Sequence, residues 1–339
     1  GIRTWCLGNE MDGDWQIGHK TAGEYGRLAQ ETAKAMKQVD SSIELVSCGS
    51  SKSDMKTYPD WEAETLKYTY PYVDYVSLHQ YYGGQELGTG NFLSQSLDME
   101  DYIKTVIGTC DYVKAWHRSD KTLCISFDEW GVWSVPDKVV AASVDESPWQ
   151  VAPHLSEQIY TMEDSLLFAG MMMNFLKHAD RIRIACQSLL TNISAAIMTK
   201  RGGEVWVQPI YYPFMHMANY GVGRTLLGVD EIPTYDCDLR KEVPCVDYVA
   251  VHHEKGKEVV LFAVNRMEEE AEVSLELQGF DPIRIKEHVS MCCADPKTTN
   301  LDDHDAVKPR QVDASSLQDH MVISNLKPFS WNMVRIEIL

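Results

Sequence analysis

Residues 1–10, Gly1-Ile2-Arg3-Thr4-Trp5-Cys6-Leu7-Gly8-Asn9-Glu10, combine an apolar run with a terminal glycine, amide and carboxylate. We interpret Ile2 to Leu7 as a buried strand and Gly8 as the turn that follows it. In parallel α/β proteins, catalytic groups lie at the carboxyl ends of strands. One such triplet is also typical of an ordinary turn, so a functional interpretation needs a second carboxylate in an equivalent place. Glu129, which follows a later apolar run, supplies one.

Strands and helices are predicted to alternate through the first two thirds of the chain. Apolar runs that end in polar residues predict five strands, at residues 2–7, 43–48, 73–78, 123–127 and 182–190. Apolar residues between them follow the period of a helix, as in the face formed by Tyr25, Leu28, Ala29, Thr32, Met36 and Val39. Residues 83–97 and 131–155 are predicted to be long loops. This alternation is the pattern of a parallel α/β sheet.

The pattern changes near Gly221, where helical periodicity ends and alternating strands begin, such as those predicted at residues 259–264, 271–277 and 331–338. Short alternating strands separated by turns are typical of an antiparallel β-sandwich. We therefore predict two domains, an α/β catalytic domain over residues 1–222 and a β-sandwich over residues 223–339.

The composition excludes several classes of partner. The chain has 339 residues and a formal charge of −19, which argues against binding to nucleic acid or to an anionic membrane. It contains no apolar run long enough to span a bilayer. The 9 cysteines lack metal-ligand spacing and favour a reduced, cytoplasmic location. No motif for a cofactor or a metal is present, so neither is predicted.

Glu10 and Glu129 form the strongest candidate for a catalytic pair. Glycoside hydrolysis requires one carboxylic acid to protonate the leaving oxygen and one carboxylate to attack the sugar or to activate water. Flat aromatic surfaces for stacking on sugars and polar groups for sugar hydroxyls occur near both residues, namely Trp15, Tyr81, Trp130, Trp133, Asn9, His79 and Gln80.

These motifs resemble glycoside hydrolase family 51, the α-L-arabinofuranosidases. The resemblance extends over nearly the whole chain, and the segments that carry it are residues 5–13, 15–20, 78–83, 126–130, 178–181 and 212–216. It implies a (β/α)8 TIM barrel followed by a jelly-roll-like sandwich. It also implies a retaining exo-enzyme that releases terminal α-L-arabinofuranosyl residues from arabinan, arabinoxylan or arabino-oligosaccharides.

The resemblance assigns roles to individual residues. Glu10 would be the general acid/base and Glu129 the nucleophile, with Asn9 on the sugar 2-hydroxyl and Tyr81 orienting the nucleophile. The remaining substrate-binding candidates are His79, Trp133, Trp15 and Asn192. Retention implies carboxyl groups about 5–5.5 Å apart, and a general acid implies a raised pKa for Glu10 in the free enzyme.

A complete barrel has eight strands, whereas five are predicted here. The resemblance matches these five to the fourth to eighth strands of the barrel, so we expect three further strands in a preceding segment or in a separate polypeptide that completes the barrel. It also suggests a homo-oligomer, specifically a hexamer. Two alternatives stay open: another retaining glycosidase, such as a β-xylosidase or an endo-glucanase, and an inactive subunit that needs the missing strands.

Overall fold

The computed structural model describes residues 1–133, 149–151, 155–280, 282–318 and 320–339. Most of the loop predicted at residues 131–155 lies outside the described residues. The chain divides into two compact units, the first made of residues 1–81, 98–131 and 178–188 and the second of residues 82–97, 132–177 and 189–339. The domain boundary predicted between residues 222 and 223 stays a prediction.

The first unit contains a five-stranded sheet, which positions its polar side chains. Its strands lie side by side in chain order, as β1 (Thr4–Cys6), β2 (Glu44–Cys48), β3 (Tyr75–Tyr82), β4 (Cys124–Val132) and β5 (Ile182–Ala185). The pairs β1–β2, β2–β3 and β4–β5 are parallel. The predicted parallel sheet is therefore confirmed, while its closure into a complete barrel stays a prediction.

Helices connect these strands, as the sequence periodicity predicts. They are α1 (Ala22–Val39), α2 (Asp60–Thr69), α3 (Thr89–Trp116) and α4 (Met162–Lys177), whereas α5 (Tyr211–Tyr220) comes after the last strand of the sheet. The prediction of a loop over residues 83–97 is wrong from Thr89 onward, because α3 begins there. A capping box formed by Thr21 and Glu24 starts α1. The buried face of α1 contains Tyr25, Ala29 and Ala33, whereas Leu28 is 52% exposed. The predicted helix is thus confirmed, but its buried stripe is rotated from the predicted one.

The prediction that the first strand is buried is wrong. Trp5 in β1 is 44% exposed and Cys6 is also exposed. The reason is that β1 lies at one edge of the sheet and pairs only with β2 among the described strands. Three other strand ends differ from the prediction, one of them that of β5, which ends at Ala185 and not at residue 190. β3 continues through His79 and Tyr81, and Glu129 lies within β4 rather than after it.

The second unit contains the predicted antiparallel sandwich. The strands of this unit are β6 (Ile197–Thr199), β7 (Val205–Val207), β8 (Arg224–Leu226), β9 (Thr234–Tyr235), β10 (Val243–Pro244), β11 (Val246–His253), β12 (Glu258–Asn265), β13 (Ala271–Glu276), β14 (Ile283–Met291), β15 (Arg310–Gln311), β16 (Ser315–Gln318), β17 (Met321–Leu326) and β18 (Ser330–Ile338). The six-stranded sheet has the order β15-β14-β18-β12-β11-β8, and the three-stranded sheet has the order β13-β17-β16. Leu261 and Ile336 from the larger sheet share one apolar cluster with Val322 from the smaller sheet.

No helix within the described ranges combines the length and the apolar character that crossing a membrane requires. All 9 cysteines have free thiols.

Glu62 of α2 is a fully buried carboxylate beneath the end of β2. One of its oxygens accepts the backbone N–H of Ser50 at 2.6 Å. Its other oxygen has no hydrogen-bond partner among the described residues. Because burial disfavours the charged form, the pKa of Glu62 rises from its ordinary 4.5 to about 7. A folded-state pKa above the unfolded value means that ionisation of Glu62 opposes folding.

Replacing Glu62 by Gln is expected to change how stability depends on pH. In the wild type, the unfolded chain releases the Glu62 proton first, so stability falls as the pH rises from 4.5 to about 7. Gln keeps an oxygen for the Ser50 N–H and stays neutral. Relative to the wild type, Glu62→Gln should gain up to about 3 kcal/mol between pH 4 and pH 8. Urea unfolding of both proteins across this range measures the gain, and a stability difference independent of pH would contradict it.

Candidate active site

The backbone around Glu10 is held in an uncommon conformation. Gly8 has a φ of 140°, and an added Cβ would lie 2.8 Å from the Met11 side chain, so the turn requires glycine. Glu10 itself has a φ of 47°, which costs a non-glycine residue about 1–3 kcal/mol. The next residues hold the turn in place, because Asp12 accepts the Ser51 backbone N–H at 3.1 Å. The sequence and its surroundings therefore fix where the Glu10 carboxylate points.

The Glu10 carboxylate accepts hydrogen bonds from three side chains. Trp15 Nε1 donates to Oε2 at 2.7 Å, and Gln16 Nε2 donates to the same oxygen at 3.0 Å. His79 Nδ1 lies 3.2 Å from Oε1. Trp15 was predicted to face a sugar, and the structure places its indole N–H on the carboxylate of Glu10.

Glu129 enters the same site from β4. The Tyr81 hydroxyl donates to Oε1 of Glu129 at 3.0 Å, and His79 Nδ1 lies 3.5 Å from Oε2. His79 and Tyr81 are two residues apart in β3 and so project from the same face of the strand. The structure thus brings together five of the predicted residues, namely Glu10, Trp15, His79, Tyr81 and Glu129.

His79 lies between the two carboxylates and is buried. Its other ring nitrogen, Nε2, lies 3.2 Å from Oδ1 of Asp128. Burial lowers the pKa of His79, but hydrogen bonds to Asp128 and Glu10 and the charge of Glu129 outweigh burial and raise its pKa to about 9. His79 is therefore an imidazolium at neutral pH.

The prediction of a raised pKa for Glu10 is wrong for the ligand-free protein. Burial raises this pKa, but hydrogen bonds from His79, Trp15 and Gln16 outweigh burial and lower it below its ordinary value. The proton between His79 and Glu10 therefore lies on His79. The sequence could not predict this, because the donors to Glu10 come from two separate segments.

The polar side-chain atoms of Glu10, Glu129 and His79 lie close together. One carboxylate oxygen of Glu10, one of Glu129 and a ring nitrogen of His79 lie within 4.8 Å of one another. Such a group could also hold a metal ion, but a coordinating histidine must be neutral. Because the pKa of His79 is raised, its ring nitrogens hold protons beside these carboxylates.

The remaining predicted residues are Asn9, Asn192 and Trp133. Asn9 is exposed beside Glu10. Asn192 belongs to the second unit, where its side-chain oxygen accepts the Thr199 backbone N–H at 2.7 Å. Trp133 belongs to the second unit as well, and its backbone N–H donates to the Tyr82 carbonyl at 2.8 Å. Roles for these residues in sugar binding stay predictions.

Asp128 and Gln16 are the polar residues that the sequence did not single out. Adjacent residues of a strand point to opposite faces, so the position of Asp128 beside Glu129 gives no sign that both reach His79. The one signal in the sequence was that Ser77 and His79 are two residues apart and so lie on the same face of β3. In the structure both side chains contact Asp128.

Comparisons with known proteins agree with this geometry. A family model described as the α-L-arabinofuranosidase C-terminal domain matches residues 128–330. The intracellular exo-α-(1→5)-L-arabinofuranosidase 1 of Bacillus subtilis (strain 168) is 48% identical over 337 residues, which cover 99% of this chain and 67% of that protein. The exo-α-(1→6)-L-arabinofuranosidase of Bifidobacterium longum is 36% identical, over 99% of this chain and 66% of that protein.

Solved structures give the same result. AbfB, a family 51 α-L-arabinofuranosidase from Bifidobacterium longum, matches with a TM-score of 0.90 and 34% identity, over 98% of this chain and 66% of that chain. The present chain thus spans about two thirds of the length of these relatives.

A parallel sheet that presents paired carboxylates, together with these relatives, defines a glycoside hydrolase. The chain belongs to glycoside hydrolase family 51, the family of α-L-arabinofuranosidases. The Bacillus subtilis relative is named as an intracellular enzyme, in agreement with the predicted cytoplasmic location.

Proposed function

We propose that this chain carries the catalytic pair of a retaining exo-α-L-arabinofuranosidase. The substrate class is arabinan, arabinoxylan or their oligosaccharides, from which it releases terminal non-reducing α-L-arabinofuranosyl residues. The observation that carries the proposal is the approach of Glu10 and Glu129 carboxylate oxygens to within 4.8 Å. Retaining glycosidases have carboxyl groups about 5–5.5 Å apart, whereas inverting enzymes leave about 6.5–9.5 Å for a water molecule.

In this mechanism Glu129 is the nucleophile. Its carboxylate attacks the anomeric carbon while Glu10 protonates the departing glycosidic oxygen, which leaves a covalent glycosyl-enzyme. Glu10 then removes a proton from water, and the water oxygen displaces Glu129 from the anomeric carbon. Two displacements at the same carbon retain its configuration.

The surrounding side chains support this division of roles. The Tyr81 hydroxyl donates to Oε1 of Glu129 at 3.0 Å and so orients this carboxylate for the attack. Trp15 and Gln16 hold Oε2 of Glu10. Asn9, exposed beside Glu10, is available to bind the 2-hydroxyl of the sugar.

The relatives differ in the linkage that their names give. The Bacillus subtilis relative at 48% identity is named for α-(1→5) linkages, and the Bifidobacterium longum relative at 36% identity is named for α-(1→6) linkages. The higher identity favours α-(1→5)-linked arabino-oligosaccharides as the first substrates to assay.

The direct experiment assays this chain alone and mixed with a polypeptide that supplies the other third of a family 51 enzyme. Nitrophenyl α-L-arabinofuranoside, β-xyloside and β-glucoside are the substrates. We expect hydrolysis of the arabinofuranoside in at least one of the two preparations, with retained configuration of the first-formed arabinose by NMR. Preference for the xyloside or the glucoside would contradict the proposal, as would an inactive chain in both preparations. Light scattering on the same samples tests the predicted hexamer.

A further inference from the structure

Asp128 directly precedes Glu129, yet its side chain serves a different purpose. Ser77 Oγ donates to Oδ1 at 2.6 Å and Ser126 Oγ donates to Oδ2 at 3.0 Å. The Cys6 thiol also points at Oδ2, with its sulfur 3.8 Å away. Burial raises the pKa of Asp128, but the hydrogen bonds from His79, Ser77 and Ser126 outweigh burial and lower it. Asp128 is therefore an anchored, ionised carboxylate.

The position of Asp128 determines the state of His79. Nε2 of His79 lies 3.2 Å from Oδ1 of Asp128, while Nδ1 lies 3.2 Å from Glu10 and 3.5 Å from Glu129. Carboxylates are acceptors only, so both ring nitrogens must carry hydrogen to bond them. A neutral ring would turn one nitrogen lone pair toward a carboxylate. Because the pKa values of Glu10 and Asp128 are lowered and both are therefore ionised, the geometry is that of an imidazolium.

The described titratable groups around His79 come from several strands. Glu10 after β1 and Asp128 and Glu129 of β4 face the imidazole ring, and Tyr81 of β3 faces Glu129. The thiols of Cys6 and Cys186 lie near Asp128. Partial desolvation and the negative charge of Asp128 raise the pKa of each thiol, so both stay neutral at physiological pH. Among the described residues, three carboxyl groups thus face the imidazole of His79.

We propose that Asp128 is a positioning residue that keeps His79 as an imidazolium, and that this imidazolium stores the proton which Glu10 delivers to the leaving group. The inference rests on the proposed function, because it supplies the acid form of Glu10 that a retaining arabinofuranosidase needs.

Each proton that moves in the two steps has a donor and an acceptor. In the first step His79 Nδ1 passes its proton to Oε1 of Glu10, and Glu10 passes a proton to the glycosidic oxygen as its bond to the anomeric carbon breaks. Glu129 forms its ester bond at the same carbon, and His79 is left neutral. In the second step Glu10 takes a proton from water, the water oxygen bonds to the anomeric carbon, and the ester bond breaks. Glu10 then returns the proton to His79.

The test is an NMR titration of the histidine side chains labelled with nitrogen-15, which does not depend on any activity. The His79 signals are assigned by their loss in His79→Gln. In the wild-type chain we expect His79 to stay doubly protonated until about pH 9. In Asp128→Asn the midpoint should fall by about 1–3 pH units, because one of the facing charges is removed.

Ser77→Ala is the matched control, since it removes one hydrogen bond to Asp128 but leaves the charge. Its titration midpoint should stay closer to that of the wild type than to that of Asp128→Asn. A wild-type His79 that is neutral at pH 7 overturns the proposal even if Asp128→Asn does not fold. An unchanged midpoint in folded Asp128→Asn overturns it as well.

A second readout links the titration to catalysis. In an active preparation, kcat/KM for the arabinofuranoside should fall at high pH, and Asp128→Asn should move this fall to lower pH together with the His79 midpoint. A purely structural role would lower the rate at every pH without moving the profile. If no preparation hydrolyses arabinofuranosides, the proposed function fails while the NMR titration still decides the state of His79.

Discussion

Glu129→Ala is expected to lower kcat/KM for an aryl α-L-arabinofuranoside by about 10⁵-fold or more. The reason is that the variant removes the only group proposed to form a bond with the anomeric carbon. Binding and acid assistance remain but cannot complete the displacement. Steady-state kinetics measures the loss, and mass spectrometry should show no glycosyl-enzyme in the variant.

Azide rescue makes this prediction specific to a nucleophile. Azide that enters the space left by the Glu129 side chain attacks once, from the face opposite the leaving group, so the glycosyl azide should have inverted configuration. Tyr81→Phe is the matched control, because it removes only the hydroxyl that lies 3.0 Å from Glu129. Loss of one hydrogen bond to a charged group should cost about 10–100-fold. A rescued product of retained configuration would show that Glu129 is not the nucleophile.

Glu10→Ala is expected to affect substrates according to their leaving group. General acid catalysis contributes about 10²–10⁴-fold, and an arabino-oligosaccharide with a poor leaving group should lose this whole factor. A dinitrophenyl arabinofuranoside, whose leaving group needs no proton, should form the glycosyl-enzyme almost as fast as in the wild type. Because this variant keeps Glu129, added azide should give a glycosyl azide of retained configuration.

Gln16→Ala provides the comparison for Glu10→Ala. It removes a donor that lies 3.0 Å from the Glu10 carboxylate but keeps the acid itself. Its loss of activity should therefore be similar for good and poor leaving groups. Equal losses on both substrates for Glu10→Ala would exclude Glu10 as the general acid, and would leave His79 without an acceptor for its stored proton.

The local features of the chain were predictable because they depend on neighbouring residues. The alternation of apolar runs and helical faces predicted the parallel strands from β1 to β5, and the change in period after Gly221 predicted antiparallel strands. The carboxylates of Glu10 and Glu129 could be chosen because each belongs to a long motif. Strand ends were less predictable, since β4 continues through Glu129 to Val132 after its apolar run has ended.

The sequence by itself determined which residues supply the carboxylates and that they come from two different strands. Only the tertiary structure decided where the proton lies. His79 meets Glu10, Asp128 and Glu129 from segments far apart in the chain, and their charges together make it an imidazolium and lower the pKa of Glu10. The exposure of Trp5 likewise depends on the position of β1 at the sheet edge. Coulombic interactions and burial depend on distances in space, and no periodicity along a chain encodes them.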